Sequence, residues 1–217
     1  MKTYTVHLIR HGQTEGNIKG QYIGRTDLPL STNGIIEIES LKAIDIYPDV
    51  DAIYISPLLR CRQTAEIIFP NREIVPIDNF IEYDFGEFEG KTANELEDCK
   101  EYFEWTSGKI TAPPCGEDAK DFSSRICLGL NEVVRHLSTC GGTEGAVVVH
   151  GGVIMSLLAA CGLPQRPIVE WACGNGRGYT VRITPSLYAR SGVIEIVGEI
   201  PPGEAALLTS IQSEIIE

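Results

Sequence analysis

The sequence predicts an α/β fold, a three-layer sandwich with a mostly parallel central sheet and helices on both faces. Three observations predict it. Short apolar or β-branched runs alternate with helical patterns along the whole chain. One run, Gly145 to Val149, is apolar at nearly every position, as a strand covered on both faces must be. Two runs end alike, in His11-Gly12 and in His150-Gly151, at the carboxyl ends where open parallel sheets bind ligands.

The elements follow in order. Tyr4 to Ile9 is β-rich and runs into Arg10-His11-Gly12. Residues 16 to 30 carry Gly16, Gly20, Gly24 and Pro29, which predicts a long loop. Ser31 can cap a helix continuing through Ile35, Ile38 and Leu41 at helical spacing. Asp51 to Ile55 is a second strand. Ser56-Pro57 then opens a helix to about Phe69, with serine at the cap and proline at the first helical position.

Glu73 to Ile77 is a third strand, followed by a loop to Gly90. Thr92 to Trp105 and Asp118 to Leu137 have helical patterns, separated by Ala112-Pro113-Pro114-Cys115-Gly116. The strand Gly145 to Val149 leads into an apolar helix, and Tyr179 to Ile183 and Val193 to Val197 complete the sheet. The 217 residues read as a single domain, 1–217, with a helical excursion near 82–137 and a C-terminal tail at 203–217. No repeat or linker divides them.

Composition narrows the partners. Thirty acidic residues against eighteen basic ones give a net charge of −12, which repels phosphate backbones and anionic lipid. Nucleic acid and membrane are therefore not expected as partners, whereas a local arginine cluster can still receive a small anion. Much of the acidity lies between Glu82 and Glu104, where a solvated helix face is the plain reading. The seven cysteines are scattered, with no C-x-x-C pair, which argues against both a disulfide framework and a structural zinc site. The opening residues are too polar for a signal peptide, and the apolar stretch Val153 to Leu163 is too short to span a bilayer. A reduced, cytoplasmic protein is expected; oligomeric state is not legible.

The chemistry concentrates where strands end. His11 and His150 each follow a strand, and the third strand–helix junction delivers Arg60 near the same sheet edge as Arg10. Two imidazoles and two guanidiniums held together imply an anion among them, and arginine forks match phosphate oxygens bidentately. No further ligand stands at metal spacing, so neither a metal nor another cofactor is expected. His7 and His136 read as a strand filler and a helix-face residue. Arg62 and Gln63 read as helix support, with Gln63 also able to reach the pocket.

Four ordered segments carry a resemblance. Arg10-His11-Gly12-Gln13-Thr14-Glu15-Gly16-Asn17, Ser56-Pro57-Leu58-Leu59-Arg60, Glu82 before Asp84-Phe85-Gly86, and Val149-His150-Gly151 together resemble the histidine phosphatase (phosphoglycerate mutase-like) superfamily. The resemblance implies that His11 is a nucleophile that becomes phosphohistidine. It further implies that Arg10, Arg60 and His150 bind the phosphoryl oxygens, that Asn17 assists, and that Gly12, Ile23, Gly24 and Gly151 contact the substrate. Glu82 would protonate the leaving oxygen, with Glu87 and Glu89 as rivals for that role. Cys115-Gly116-Glu117-Asp118 is similar to a Gly-Glu-Ser segment of the family, with Asp118 in place of serine.

Neutral imidazole is a competent nucleophile near pH 7, provided its other ring nitrogen holds a hydrogen bond to backbone carbonyl. Tyr83-Asp84 stands where mutases of this kind carry two cationic residues, which resembles the phosphatase branch. The loop Gly20 to Ser31 is similar to that of bacterial α-ribazole phosphatases, which remove a 5′-phosphate in cobalamin biosynthesis. Broad-specificity phosphatases share much of that loop. The expected activity is hydrolysis of a small phosphorylated metabolite; mutase and non-catalytic phosphate-binding readings stay open beside it.

Overall fold

The computed structural model describes residues 2–201, so the tail expected at 203–217 lies outside the described residues. The chain opens on strand β1 (Tyr4–Arg10), a one-turn helix α1 (Glu15–Ile18) and helix α2 (Thr32–Ala43). Strand β2 (Ala52–Ile55), helix α3 (Leu59–Ile68) and the short strand β3 (Ile74–Pro76) come next. An irregular stretch with three 3-10 turns and helix α4 (Lys100–Thr106) precedes the long helix α5 (Ala119–Cys140). Strand β4 (Glu144–Val149), helix α6 (Gly151–Cys161), the two-residue strand β5 (Gly162–Leu163) and strand β6 (Gly178–Ile183) follow. Helix α7 (Pro185–Ser191) and strand β7 (Ile194–Ile200) end the described chain.

The strands form one sheet in the order β3-β2-β4-β1-β6-β7-β5. Its first four members are mutually parallel; β6 runs antiparallel to β1, and β7 antiparallel to β6. Alternation along β4 divides the core in two. Val147 and Val149 join the α5 and α6 side, with Phe122, Ile126, Leu130, Val153 and Leu157. Ala146 and Val148 join the other side, with Ile38 of α2 and Cys61, Ala65 and Ile68 of α3. A strand buried on both faces must be apolar at successive positions, which is why this run was legible. At roughly 1.5–3 kcal/mol for each fully buried aliphatic side chain, this pair of layers is the main stabilising element.

The expected layers are therefore present, and several boundaries move. The segment read as pure loop contains α1, closed by a reciprocal cap in which Thr14 and Asn17 bond each other's side chain and backbone. One turn is too short to register as periodicity. The pattern from Thr92 to Trp105 is not one helix. Thr92 and Glu95 close a 3-10 turn on themselves, Leu96 turns inward, and Cys99 is extended before α4 starts.

Helix α5 does carry the expected stripe, with Phe122, Ile126, Leu130, Val133 and Leu137 buried against the sheet. Asp118 caps its start and Gly141, at φ 82°, ends it in the left-handed region. The seven cysteines are free thiols. Among the described residues no helix is long and apolar enough to cross a membrane.

Candidate active site

Sheet register brings the two histidines together. β1 and β4 are neighbours with Arg10 opposite Val149, so the next residue of each strand, His11 and His150, emerges at the same edge. The His11 N–H donates to the Val149 carbonyl at 2.9 Å. The two rings stand edge to face with centroids 5.2 Å apart.

His11 is 5% exposed. Its Nδ1–H donates to the carbonyl of Gly12 at 2.7 Å, which leaves the lone pair on Nε2. Burial first, then the Arg60 charge, holds its pKa well below 6.5, with Arg10 adding to the effect. The ring is therefore held neutral, with its Nε2 lone pair fixed in place.

Arg10 donates from Nη1 to the Cys173 carbonyl at 2.6 Å, while its buried Nε has no partner among the described residues. A buried guanidinium donor left unpaired is costly, and an arriving oxyanion would satisfy it. Arg60, 1% exposed, is held by three acceptors: His150 Nδ1 at 3.2 Å, the Thr26 carbonyl at 2.9 Å and the Gly24 carbonyl at 2.8 Å. These use three of its five N–H donors.

The start of α3 corrects the sequence reading. Ser56 does not cap the helix, whose N-cap is Leu58 without a side-chain bond. The Ser56 hydroxyl lies 2.7 Å from His150 Nε2 instead. Because arginine can only donate, His150 Nδ1 is an acceptor, so the proton sits on Nε2 and points to Ser56. His150 is fully buried, and burial together with the Arg60 charge depresses its pKa well below 6.5. Both ring nitrogens thus have protein partners here, so in this arrangement the ring orients Arg60 where the resemblance implies a contact to phosphoryl oxygen.

Glu82 is 6% exposed, with Oε1 accepting from the Tyr83 N–H at 2.8 Å and Oε2 from the Gly152 N–H at 2.9 Å. Burial outweighs these bonds and raises its pKa above 4.5. Its rivals are engaged elsewhere. Glu89 accepts from the Gly24 and Arg25 amides and the Thr26 hydroxyl, and Glu87 accepts from the Cys115 thiol. The acidic stretch from Glu82 to Glu104 is thus not one solvated helix face, because Glu82 is buried and Glu89 ties down the 24–26 loop.

The remaining expected residues divide by what their polar groups do. Asn17 Oδ1 accepts from the Thr14 amide and hydroxyl, which leaves its Nδ2 without a protein partner among the described residues. Gly151 opens α6, and a Cβ there would lie 3.3 Å from Arg10 Nε. Gly12 has both backbone groups engaged, donating to Thr64 Oγ1 and accepting from His11. Gly24 likewise donates to Glu89 and accepts from Arg60. Ile23 packs so closely on Gly16 that a Cβ there would meet it at 2.5 Å. These last three shape the loop with no free backbone donor shown for an anion at Gly12 or Gly24. Gln63 accepts from the Leu30 amide, His7 bonds Thr180 and Glu144, and His136 bonds Tyr54.

Sequence reasoning missed four supports. Asn175 donates to the His11 carbonyl at 2.9 Å. Arg125 grips Glu117 in a bidentate pair and donates to the carbonyls of Asn79, Ile81 and Glu82, which fixes the chain carrying Glu82. Ser56 and Gly152 complete the set. Only the doubled glycine at the start of an apolar helix gave a signal, since a helix gains nothing from it. Among the described residues, no three His, Cys, Asp or Glu side chains cluster as a metal-ligand set.

The chain is similar to known proteins in both sequence and fold. The model of the histidine phosphatase superfamily (branch 1) matches residues 6–189. The adenosylcobalamin/alpha-ribazole phosphatase of Escherichia coli (strain K12) is 31% identical over 178 residues, covering 78% of this chain and 85% of that protein. The 2,3-bisphosphoglycerate-dependent phosphoglycerate mutase of Rhizobium etli is 32% identical over 166 residues, covering 70% and 78%. The crystal structure of the alpha-ribazole phosphatase from Shigella flexneri superposes with a TM-score of 0.71 at 26% identity, covering 83% of this chain and 91% of that one.

Proposed function

Because the chain belongs to the histidine phosphatase superfamily (branch 1), we propose that it hydrolyses a small phosphomonoester through a phosphohistidine at His11. The observation that carries this reading is the His11 Nδ1–H bond to the Gly12 carbonyl, which leaves a neutral Nε2 lone pair beside two guanidiniums. In the first step Nε2 attacks phosphorus and the P–O bond to the alcohol breaks. Arg10, with its unpaired Nε, and Arg60 take the charge on the equatorial oxygens. Glu82, whose pKa burial raises, gives its proton to the departing alcohol oxygen. In the second step the Glu82 carboxylate takes a proton from water, which attacks the phosphohistidine and releases phosphate. Asn17 Nδ2 and the Gly151 amide are further donors to the phosphoryl group, and His150 backs Arg60.

The finer reading is that α-ribazole 5′-phosphate is the substrate, supported by the names of the Escherichia coli and Shigella flexneri relatives and by the resemblance of the 20–31 loop. The name of the Rhizobium etli relative favours a second reading, phosphoglycerate mutase. A panel of phosphomonoesters that includes α-ribazole 5′-phosphate and 3-phosphoglycerate tests the choice. Rapid mixing with labelled substrate and an alkaline quench should leave acid-labile label on His11, and His11→Ala should lose both label and turnover while keeping its circular dichroism. Label on a cysteine, or turnover in His11→Ala, would overturn the mechanism.

A further inference from the structure

A groove of about 490 Å³ begins at Gly152, whose amide holds Glu82, and runs along the outer face of α6 past Ser156, Ala159 and Ala160 to Ile168. Tyr83, Phe85, Trp105 and Phe122 wall it, with Ala119 and Ser123 of α5 opposite. The walls form a packed cluster: Tyr83 stacks on Trp105 at 6.2 Å and 17°, and meets Phe85 and Phe122 edge to face at 5.3 and 5.1 Å. The groove therefore has a preformed aromatic lining, and burying such faces costs no rearrangement.

Two features say what it takes. It adjoins the Glu82 carboxyl, since Gly152 both donates to Glu82 and lines the groove, and Tyr83, which also lines it, follows Glu82 in the chain. An alcohol that takes its proton from Glu82 would meet this end of the groove first. Among the described residues no Asp, Glu, Lys, Arg or His lines it; the polar side-chain groups there are the hydroxyls of Ser123, Ser156 and Tyr83 and the indole N–H of Trp105. A charged alcohol, such as one bearing a carboxylate, an amine or a second phosphate, would be desolvated there without a counter-charge. A neutral alcohol with a flat aromatic ring would bury its faces against the four rings.

Resting on the phosphatase reading, we propose that this groove binds the leaving group, and that the enzyme selects phosphomonoesters of neutral, aromatic-bearing alcohols over those of charged ones. The test uses the purified full chain and phosphate esters of primary alcohols, which differ little in leaving-group acidity: ethyl, benzyl and 2-naphthylmethyl phosphate, with 3-phosphoglycerate as the charged member. Wild-type kcat/KM should rise about tenfold or more from ethyl to 2-naphthylmethyl phosphate as ring area is buried, with 3-phosphoglycerate lowest. Ser156→Leu, which fills the groove beside Gly152, should cut the naphthylmethyl-to-ethyl ratio about tenfold, and Ala160→Leu at its outer end should cut it less. A wild-type ratio near one, or a ratio that both variants leave unmoved, overturns the groove assignment while the phosphatase reading stands. No hydrolysis of any ester by the wild type overturns that reading itself.

Discussion

Gly152 and Glu82 stand so close that any side chain at position 152 would place its Cβ 2.5 Å from Glu82 Oε1. The contact is made possible by the absence of that atom, and the Gly152 amide then holds the other carboxyl oxygen at 2.9 Å. Gly152→Ala must therefore displace Glu82. The loss should be largest where the leaving group needs a proton, so kcat on benzyl phosphate should fall by ~10²-fold or more. On p-nitrophenyl phosphate, whose weakly basic phenolate leaves unaided, it should fall far less. Equal losses on both esters would show that Glu82 is not the acid. Gly151→Ala meets the Arg10 side chain, nearest at Nε at 3.3 Å, and should be milder.

The two arginines should fail differently. Arg10 has a free buried donor, so Arg10→Ala should lower kcat by ~10²–10³-fold with little change in folding. Arg60 also anchors the Thr26 and Gly24 carbonyls and His150, so Arg60→Ala should lose thermal stability as well as rate. Lysine should rescue Arg10 in part and Arg60 scarcely at all, because one ammonium cannot reach three divergent acceptors. Steady-state kinetics with thermal melts separates the two. Wild-type turnover in either alanine variant would place that arginine outside the site.

Burial shifts the pH dependence in a definite direction. Glu82 is raised above 4.5, so it stays protonated and active below its folded pKa and loses acid function as pH rises through it. His11 is depressed below 6.5, so it remains neutral, and nucleophilic, well below that pH. The kcat/KM profile should peak on the acid side of neutrality, and Glu82→Gln should remove the alkaline limb attributable to this carboxyl. An unchanged limb in Glu82→Gln would assign it to the substrate. Stability carries the opposite signs. The depressed His11 and His150 make unfolding easier as pH falls below 6.5, because the unfolded chain binds protons the folded one refuses. Glu82 makes it easier as pH rises through its raised pKa.

The choice between hydrolysis and isomerisation can be tested at Tyr83-Asp84. Tyr83 turns into the aromatic cluster, while Asp84 accepts from the Gly86 amide and lies 4.0 Å from Arg25. Arg25 is itself shared with Glu117 at 3.8 Å. A second phosphate near this segment would meet a carboxylate and an arginine already paired. With 3-phosphoglycerate and a trace of the bisphosphate, release of inorganic phosphate should outpace formation of 2-phosphoglycerate. The reverse would make the chain a mutase with the same phosphohistidine.

The sequence by itself determined the sheet, its buried parallel strand and the residues at its reactive edge. Those features are local: β4 is apolar throughout, and Arg10, His11 and His150 directly follow their strands. Even the tautomer of His11 follows from its own neighbour, Gly12. Tertiary structure alone separated the three carboxyls, because Glu82, Glu87 and Glu89 have similar local settings and differ in burial and partners. It also moved Ser56 from the helix cap assigned by its Ser-Pro context to His150, ninety-four positions away. The cause is strand order. With β4 inserted between β1 and β2, residues at the ends of three strands distant in sequence share one edge. Burial there selects the single carboxyl, hydroxyl and glycine whose geometry fits, and none of those pairings leaves a periodic trace in the chain.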